Sequence, residues 1–148
     1  MKSEVLVIGY GNTLRGDDGI GPYVAQRLQQ DYSGSRVCNL RVLAVHQLTP
    51  ELAQTIAESQ VKMVIFIDAI AHRSQTQPTI EKLEPKNTVP KGHTLEPSQL
   101  LYLSDYLYGH LPQGYWVLMP GVNFEFGETF SEVTTNSIES CLNLIRKY

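Results

Sequence analysis

The chain has 148 residues, a formal charge of -3 and 42% hydrophobic residues, which suits a single domain over 1–148 and leaves too little for two. Only 18% of residues are charged and no long run of one sign occurs, so the basic stripe of a nucleic-acid surface is missing. No apolar run approaches the roughly 20 residues of a membrane span, and the start, Met1-Lys2-Ser3-Glu4, is wrongly flanked for a signal peptide, so a cytoplasmic protein without membrane contact is expected.

Residues 4–10 predict the first strand. Its run Val5-Leu6-Val7-Ile8 is apolar on both faces, as in a central parallel strand covered from both sides. It leads into Gly9 to Gly21, GYGNTLRGDDGIG. Helix one follows at about 20–32, with Ile20, Val24 and Leu28 on one face and Pro22 tolerated in the first turn. The glycine-rich stretch is therefore a strand-to-helix turn, at the sheet edge where open α/β folds bind ligands. Residues 37–45 predict strand two. A second helix is expected at about 49–59, with Thr49 as N-cap, Pro50 at its first position and Glu51 at its positive end. Strand three runs from Val61 to Ile67 and ends on Asp68. After a polar loop, Thr79 to Leu83 alternates as an edge strand does.

Lys86 to Glu96 lacks periodicity and is long enough to be a functional loop. Pro97 opens a third helix with an apolar face of Leu100, Leu101, Leu103, Tyr106 and Leu107, and Gly109 ends it. Tyr115 to Met119 is a further strand, running into a loop over 120–127. Ser131 caps the last helix, where Ile138, Cys141, Leu142 and Ile145 share a face and Arg146-Lys147 complements the C-terminal end. Cys38 and Cys141 lack CxxC spacing and read as two reduced, buried thiols. Strands alternating with helices mean a parallel-rich sheet between two helix layers.

The chemistry gathers at strand ends. In common doubly wound orders the first and third strands are neighbours. Asp17 and Asp18 after strand one, and Asp68 on strand three, should then converge on one crevice, and His93 in the long loop is placed to close over it. Two carboxylates and an imidazole suit divalent ions such as zinc, nickel or manganese and leave positions open for a substrate atom or water. Each residue also has a plain structural role to weigh. Asp17 suits a helix cap, Asp68 a turn bonded to its own amides, and a loop histidine a solvated one. His46 and His72 also follow strand ends, so composition alone does not choose among the three; His110, after a helix, reads as a surface residue. Other chemistries fail on detail. Gly9-Tyr10-Gly11 begins like a dinucleotide fingerprint, but Leu14 fills the third glycine position. HExxH and GxSxG are absent.

The stretch Gly11-Asn12-Thr13-Leu14-Arg15-Gly16-Asp17-Asp18-Gly19-Ile20-Gly21 resembles the signature of the hydrogenase maturation endopeptidases. Phe66-Ile67-Asp68-Ala69-Ile70 looks like that family's second acidic motif, Gly92-His93-Thr94-Leu95-Glu96-Pro97 like its histidine segment, and Pro120-Gly121-Val122 and the closing helix are also similar. The flavour is nearest the branch that serves cyanobacterial-type bidirectional NiFe hydrogenases. The resemblance implies a three-layer α/β/α sandwich around a mostly parallel five-stranded sheet. It implies an endopeptidase that removes the C-terminal extension of the NiFe hydrogenase large-subunit precursor after nickel insertion, acting as a monomer. Carried over by motif, the metal ligands are Asp18, Asp68 and His93, and Asp17 matches the family's other acidic position; Asp18, Asp68 and Asp17 are the carboxylates expected to serve catalysis. Asp18 stands where some members have Glu. The nickel arrives with the substrate, and zinc or cadmium can fill the same ligands. Where many members carry an Asp-Gly-Gly-Thr-like turn after strand two, this chain has Val45-His46-Gln47-Leu48-Thr49-Pro50, which makes His46 a candidate substrate-facing residue. Two rivals stand beside the metal reading: an Asp18–Asp68 dyad sharing one proton, and a nickel-handling chaperone that binds the precursor without cutting it.

Overall fold

A computed structural model of the chain describes residues 3–32, 39–71, 75–88 and 95–147. Five strands form one sheet: β1 (Glu4–Tyr10), β2 (Leu40–Val45), β3 (Val61–Ala71), β4 (Thr79–Leu83) and β5 (Gln113–Gly121). Their order is β2-β1-β3-β5-β4, with β4 antiparallel to β5 and every other pair parallel. The expected neighbourhood of β1 and β3 is present. The chain runs outward from β1 to β2, then returns to place β3 on the other side of β1, so the strand order reverses between β1 and β3.

Helices cover both faces. On one, α1 (Ile20–Tyr32) and α5 (Ile138–Ile145) bury Val24, Ala25, Leu28, Cys141 and Leu142 against Val7, Ile65, Ile67, Val117 and Met119. On the other, α2 (Leu52–Ile56) and α3 (Pro97–Tyr108) bury Ala53, Ile56, Leu100 and Leu101 against Leu6, Ile8, Val64 and Phe66. Successive strand residues alternate between the two clusters, as the pleat requires. This is the three-layer α/β/α sandwich that the alternation of elements predicts. Burial pushes the Cys141 thiol up to about 12, consistent with an inert core residue; Cys38 lies outside the described residues.

Several boundaries differ from the sequence reading. β3 continues to Ala71 and β5 to Gly121, so Asp68 lies within a strand and not at its end. Pro120 is accommodated in β5 because β4 pairs only as far as Leu118, leaving no ladder bond that needs its missing N–H. α2 is one and a half turns long, and its first turn closes by short-range bonds from Leu52 to Thr49 and Ala53 to Pro50, so Thr49 caps nothing with its side chain. α3 starts at Pro97, with Gln99 reaching back to the Glu96 N–H at 2.7 Å, and stops at Gly109 with φ of 71°. Its last turn runs clear of the sheet, which leaves Tyr106 72% exposed and Leu107 exposed, against the expected apolar face. The closing helix is two: α4 (Glu132–Asn136), capped by Ser131, then α5 after a break at Ser137. Arg146 meets Asp31 of α1 at 3.2 Å and Asn143 in the last turn of its own helix at 3.1 Å. His110 is a tie as well: its Nε2–H donates to the Val61 carbonyl at 2.7 Å, where β3 begins.

Candidate active site

The first strand-to-helix turn is built on close backbone approach. A Cβ at Gly9 would meet the Gly21 carbonyl and the Ala25 side chain; one at Gly21 would meet the carbonyls of Ile67 and Tyr10. These two glycines therefore seat the start of α1 directly on β1 and β3, which is how the turn is held at the switch point.

Asp17 is fully buried and caps no helix. α1 begins three residues later, and both carboxylate oxygens face the loop after β5 instead. Oδ2 accepts from Val122 N (2.8 Å), Asn123 N (2.9 Å) and Ser131 Oγ (2.7 Å), and Oδ1 accepts from Ser131 N (2.7 Å). Burial pushes its pKa up, but the amides of Asn123, Ser131 and Val122 and the Ser131 hydroxyl outweigh that and hold it below the ordinary value. The backbone repeats the tie: Asp17 N donates to Asn123 O, Gly16 N to Gly127 O, and Gly127 N to Leu14 O. The loop over 122–131 is thus fastened to the glycine-rich turn. Within it the Phe124 ring lies against Gly121, and Phe126 stands 87% exposed at the rim.

Asp18 belongs to a different environment. Its Oδ2 accepts from Asn12 N at 2.7 Å, and its charge raises the pKa of Asp68. Asp68 shares the face of Phe66 and Val64, under α2 and α3. Its pKa is pushed up to about 7, first by burial, with Asp18 adding to the rise, while the Ala69 N–H (2.8 Å to Oδ1) and the Tyr10 hydroxyl pull it back. Two carboxylates thus lie within electrostatic reach of one another near the β1/β3 switch point, and among the described residues neither is in a salt bridge.

Tyr10 is the residue that sequence reasoning missed. It ends β1 on the same face as Asp68. Trp116 on β5 donates its indole N–H to the Tyr10 hydroxyl at 3.1 Å. The tyrosine therefore leans across β3 toward β5, and its hydroxyl interacts with the Asp68 carboxylate. Burial and then the Asp68 charge hold the phenol far above its ordinary pKa, so it stays a proton donor. The only sequence signal was a large polar side chain at the end of an otherwise apolar strand.

His93 and His72 lie outside the described residues. Glu96, three positions after His93, is described: it precedes α3, and its charge reaches Tyr10. His46 is exposed just past β2, whose last residue Val45 pairs with Tyr10.

No family model matches the chain. Its fold is that of the hydrogenase maturation proteases. It aligns with the crystal structure of the [NiFe] hydrogenase maturation protease HycI from Thermococcus kodakarensis KOD1 at a TM-score of 0.74 and 21% identity, over 99% of this chain and 92% of that one. The maturating endopeptidase HybD from E. coli gives a TM-score of 0.66 at 22% identity over 98% and 90%. Among curated proteins, the coenzyme F420 hydrogenase subunit delta of Methanothermobacter thermautotrophicus is 27% identical over 105 residues, 68% of this chain and 66% of that protein, just under two thirds of its length.

Proposed function

We propose that the protein is an endopeptidase that removes the C-terminal extension of a NiFe hydrogenase large-subunit precursor once nickel has been inserted. The observation that carries this reading is the pair Asp18 and Asp68, electrostatically coupled and without a salt-bridge partner among the described residues, at the switch point of a fold shared with named maturation proteases. That pair fits a divalent ion: burial and mutual repulsion both disfavour two free negative charges, and a cation relieves both. Asp18, Asp68 and His93 are the ligands in this proposal, and the nickel of the precursor is the ion they meet; zinc or cadmium can occupy the same donors. A bound divalent ion would supply positive charge that polarises the scissile carbonyl or acidifies a water.

The chain's own groups do the rest. Trp116 holds Tyr10, and Tyr10 holds the Asp68 carboxylate in place. Asn12 N–H holds one oxygen of Asp18, leaving the other for the ion. Asp17, with both oxygens engaged, fastens the far wall of the cleft. Docking the folded precursor converts a bimolecular encounter into a positioned one. The protein works as a monomer in this account.

The test is to incubate precursor with and without nickel and follow loss of the C-terminal tail by mass. Tail loss only from the nickel-loaded form is expected; equal cutting of both forms would remove nickel recognition. Binding without any tail loss would mean a chaperone. A second reading is favoured by the position of Asp68 near neutrality: an acid pair sharing one proton. Cutting that survives complete chelation and collapses when pH rises above about 7 would select the dyad.

A further inference from the structure

β3 outruns β1. The last β1 pairing is Gly9 with Ile67, whereas β3 stays paired to β5 as far as Ala71 with Gly121. The side of β3 that faces β1 is therefore an open edge beyond Ile67, among the described residues, and it begins at Asp68.

The polarity of that edge follows from the ladder. On β5, Leu118 and Pro120 turn their carbonyls away from β3: Leu118 O accepts from Gln75, and Pro120 O from the Thr134 hydroxyl at 2.8 Å. In a parallel ladder the residue opposite one that faces away is the one that bonds. Asp68 and Ile70 thus direct their backbone groups to β5, and Ala69 and Ala71 direct theirs outward. The Ala69 N–H agrees, since its partner is the Asp68 carboxylate and not β5. What remains open, among the described residues, is the Ala69 carbonyl and the Ala71 N–H. Those two groups, flanking Ile70, are what a single residue of a parallel strand engages, giving its N–H to one and its carbonyl to the other.

We propose that this edge, Ala69 to Ala71, is the docking rail for the substrate's tail, which adds to the sheet as an extended strand alongside β3. The occupant is a peptide backbone because only backbone groups are offered. Its place follows from continuity with the acid pair: a strand seated there runs past Asp68, which delivers a peptide bond to Asp18 and Asp68. Main-chain pairing supplies affinity with little dependence on side chains. A tail drawn out of the folded precursor is suited to this, since an extended segment has free backbone groups. The inference rests on the endopeptidase reading and names how that site holds its substrate.

Ala71→Pro tests it. The substitution removes the outward N–H while leaving the bonds to β5, and the extended backbone of Ile70 suits a following proline. With nickel-loaded large-subunit precursor, KM should rise by about tenfold or more, with kcat and thermal midpoint little changed. Hydrogen exchange of the wild-type segment 69–71 provides a measurement that does not depend on the variant folding: precursor should slow it. Wild-type cutting with an unchanged KM for Ala71→Pro and no protection of the segment would overturn the rail. Protection that grows with protease concentration alone would assign the edge to a second copy of the chain and overturn it too. No cutting by the wild type would overturn the endopeptidase reading and, with it, the occupant.

Discussion

Asp17 and Asp18 are adjacent in sequence and do unrelated work. Asp17 receives four hydrogen bonds and ties two loops together. Asp17→Asn turns an amide toward donors, so it should cost about 2–4 kcal/mol in denaturant unfolding at pH 7. Because its folded pKa is depressed, the contribution of Asp17 is present above the ordinary carboxylate range and is lost as pH falls through and below it. Asp68 has the opposite sign. Its folded pKa of about 7 lies above the ordinary 3.8, so the native state holds its proton more tightly and stability falls as pH rises from about 4 to about 7. Asp68→Asn should therefore gain about 2–4 kcal/mol on the metal-free wild type at pH 8 relative to the same comparison at pH 4, while tail cleavage is lost. Tyr10→Phe keeps the ring and removes the hydroxyl between Trp116 and Asp68. It should lower kcat about tenfold with an unchanged thermal midpoint; an unchanged kcat would take Tyr10 out of the site.

At the scale of elements, the turn from β1 to α1 is fixed by contacts that admit no side chain. Gly21→Ala would push a methyl into the carbonyls of Ile67 and Tyr10, both backbone, so the helix must shift. A loss of about 3 kcal/mol is expected by thermal or denaturant melting, with cleavage impaired beyond that loss because the shift moves Asp18. Ser131 couples another pair of elements: it caps α4 and donates to Asp17. Ser131→Ala should cost about 1–2 kcal/mol. Much of this level was legible. The strand runs, the Ser131 cap and the Pro97 start of α3 are local signals, and the structure keeps them. The lengths of β3 and β5 were not legible, because Asp68 and Pro120 read as stops in a sequence. In the sheet, each strand supplies the ladder partner that carries the other past those residues.

For the whole molecule, the strand order decides what meets. Some fifty positions separate Asp18 from Asp68, yet parallel pairing of β1 with β3 places both at one edge. Nearly the same path brings Trp116 to Tyr10 across β3. Most of the exposed large hydrophobics form two groups: Tyr106, Leu107, Tyr108 and Leu111 at and just past the end of α3, and Leu14, Val122 and Phe126 on the turn and the loop that Asp17 fastens, at the carboxyl edge of the sheet. Precursor docking at this edge is therefore expected to be weakened by Phe126→Ser, seen as a several-fold rise in KM with stability unchanged.

By itself, the sequence determined the three-layer architecture and the carboxylates that gather at its edge. Apolar runs separated by amphipathic helices have few ways to be buried, and a glycine-rich turn after the first strand must lie at the sheet's carboxyl end. Only the tertiary structure decided the division of labour between Asp17 and Asp18, the hold of Tyr10 and Trp116 on Asp68, and the open edge past Ile67. Those depend on which strand lies beside which and on where each pairing stops, and hydrogen bonds between residues a hundred positions apart leave no periodic trace in the chain.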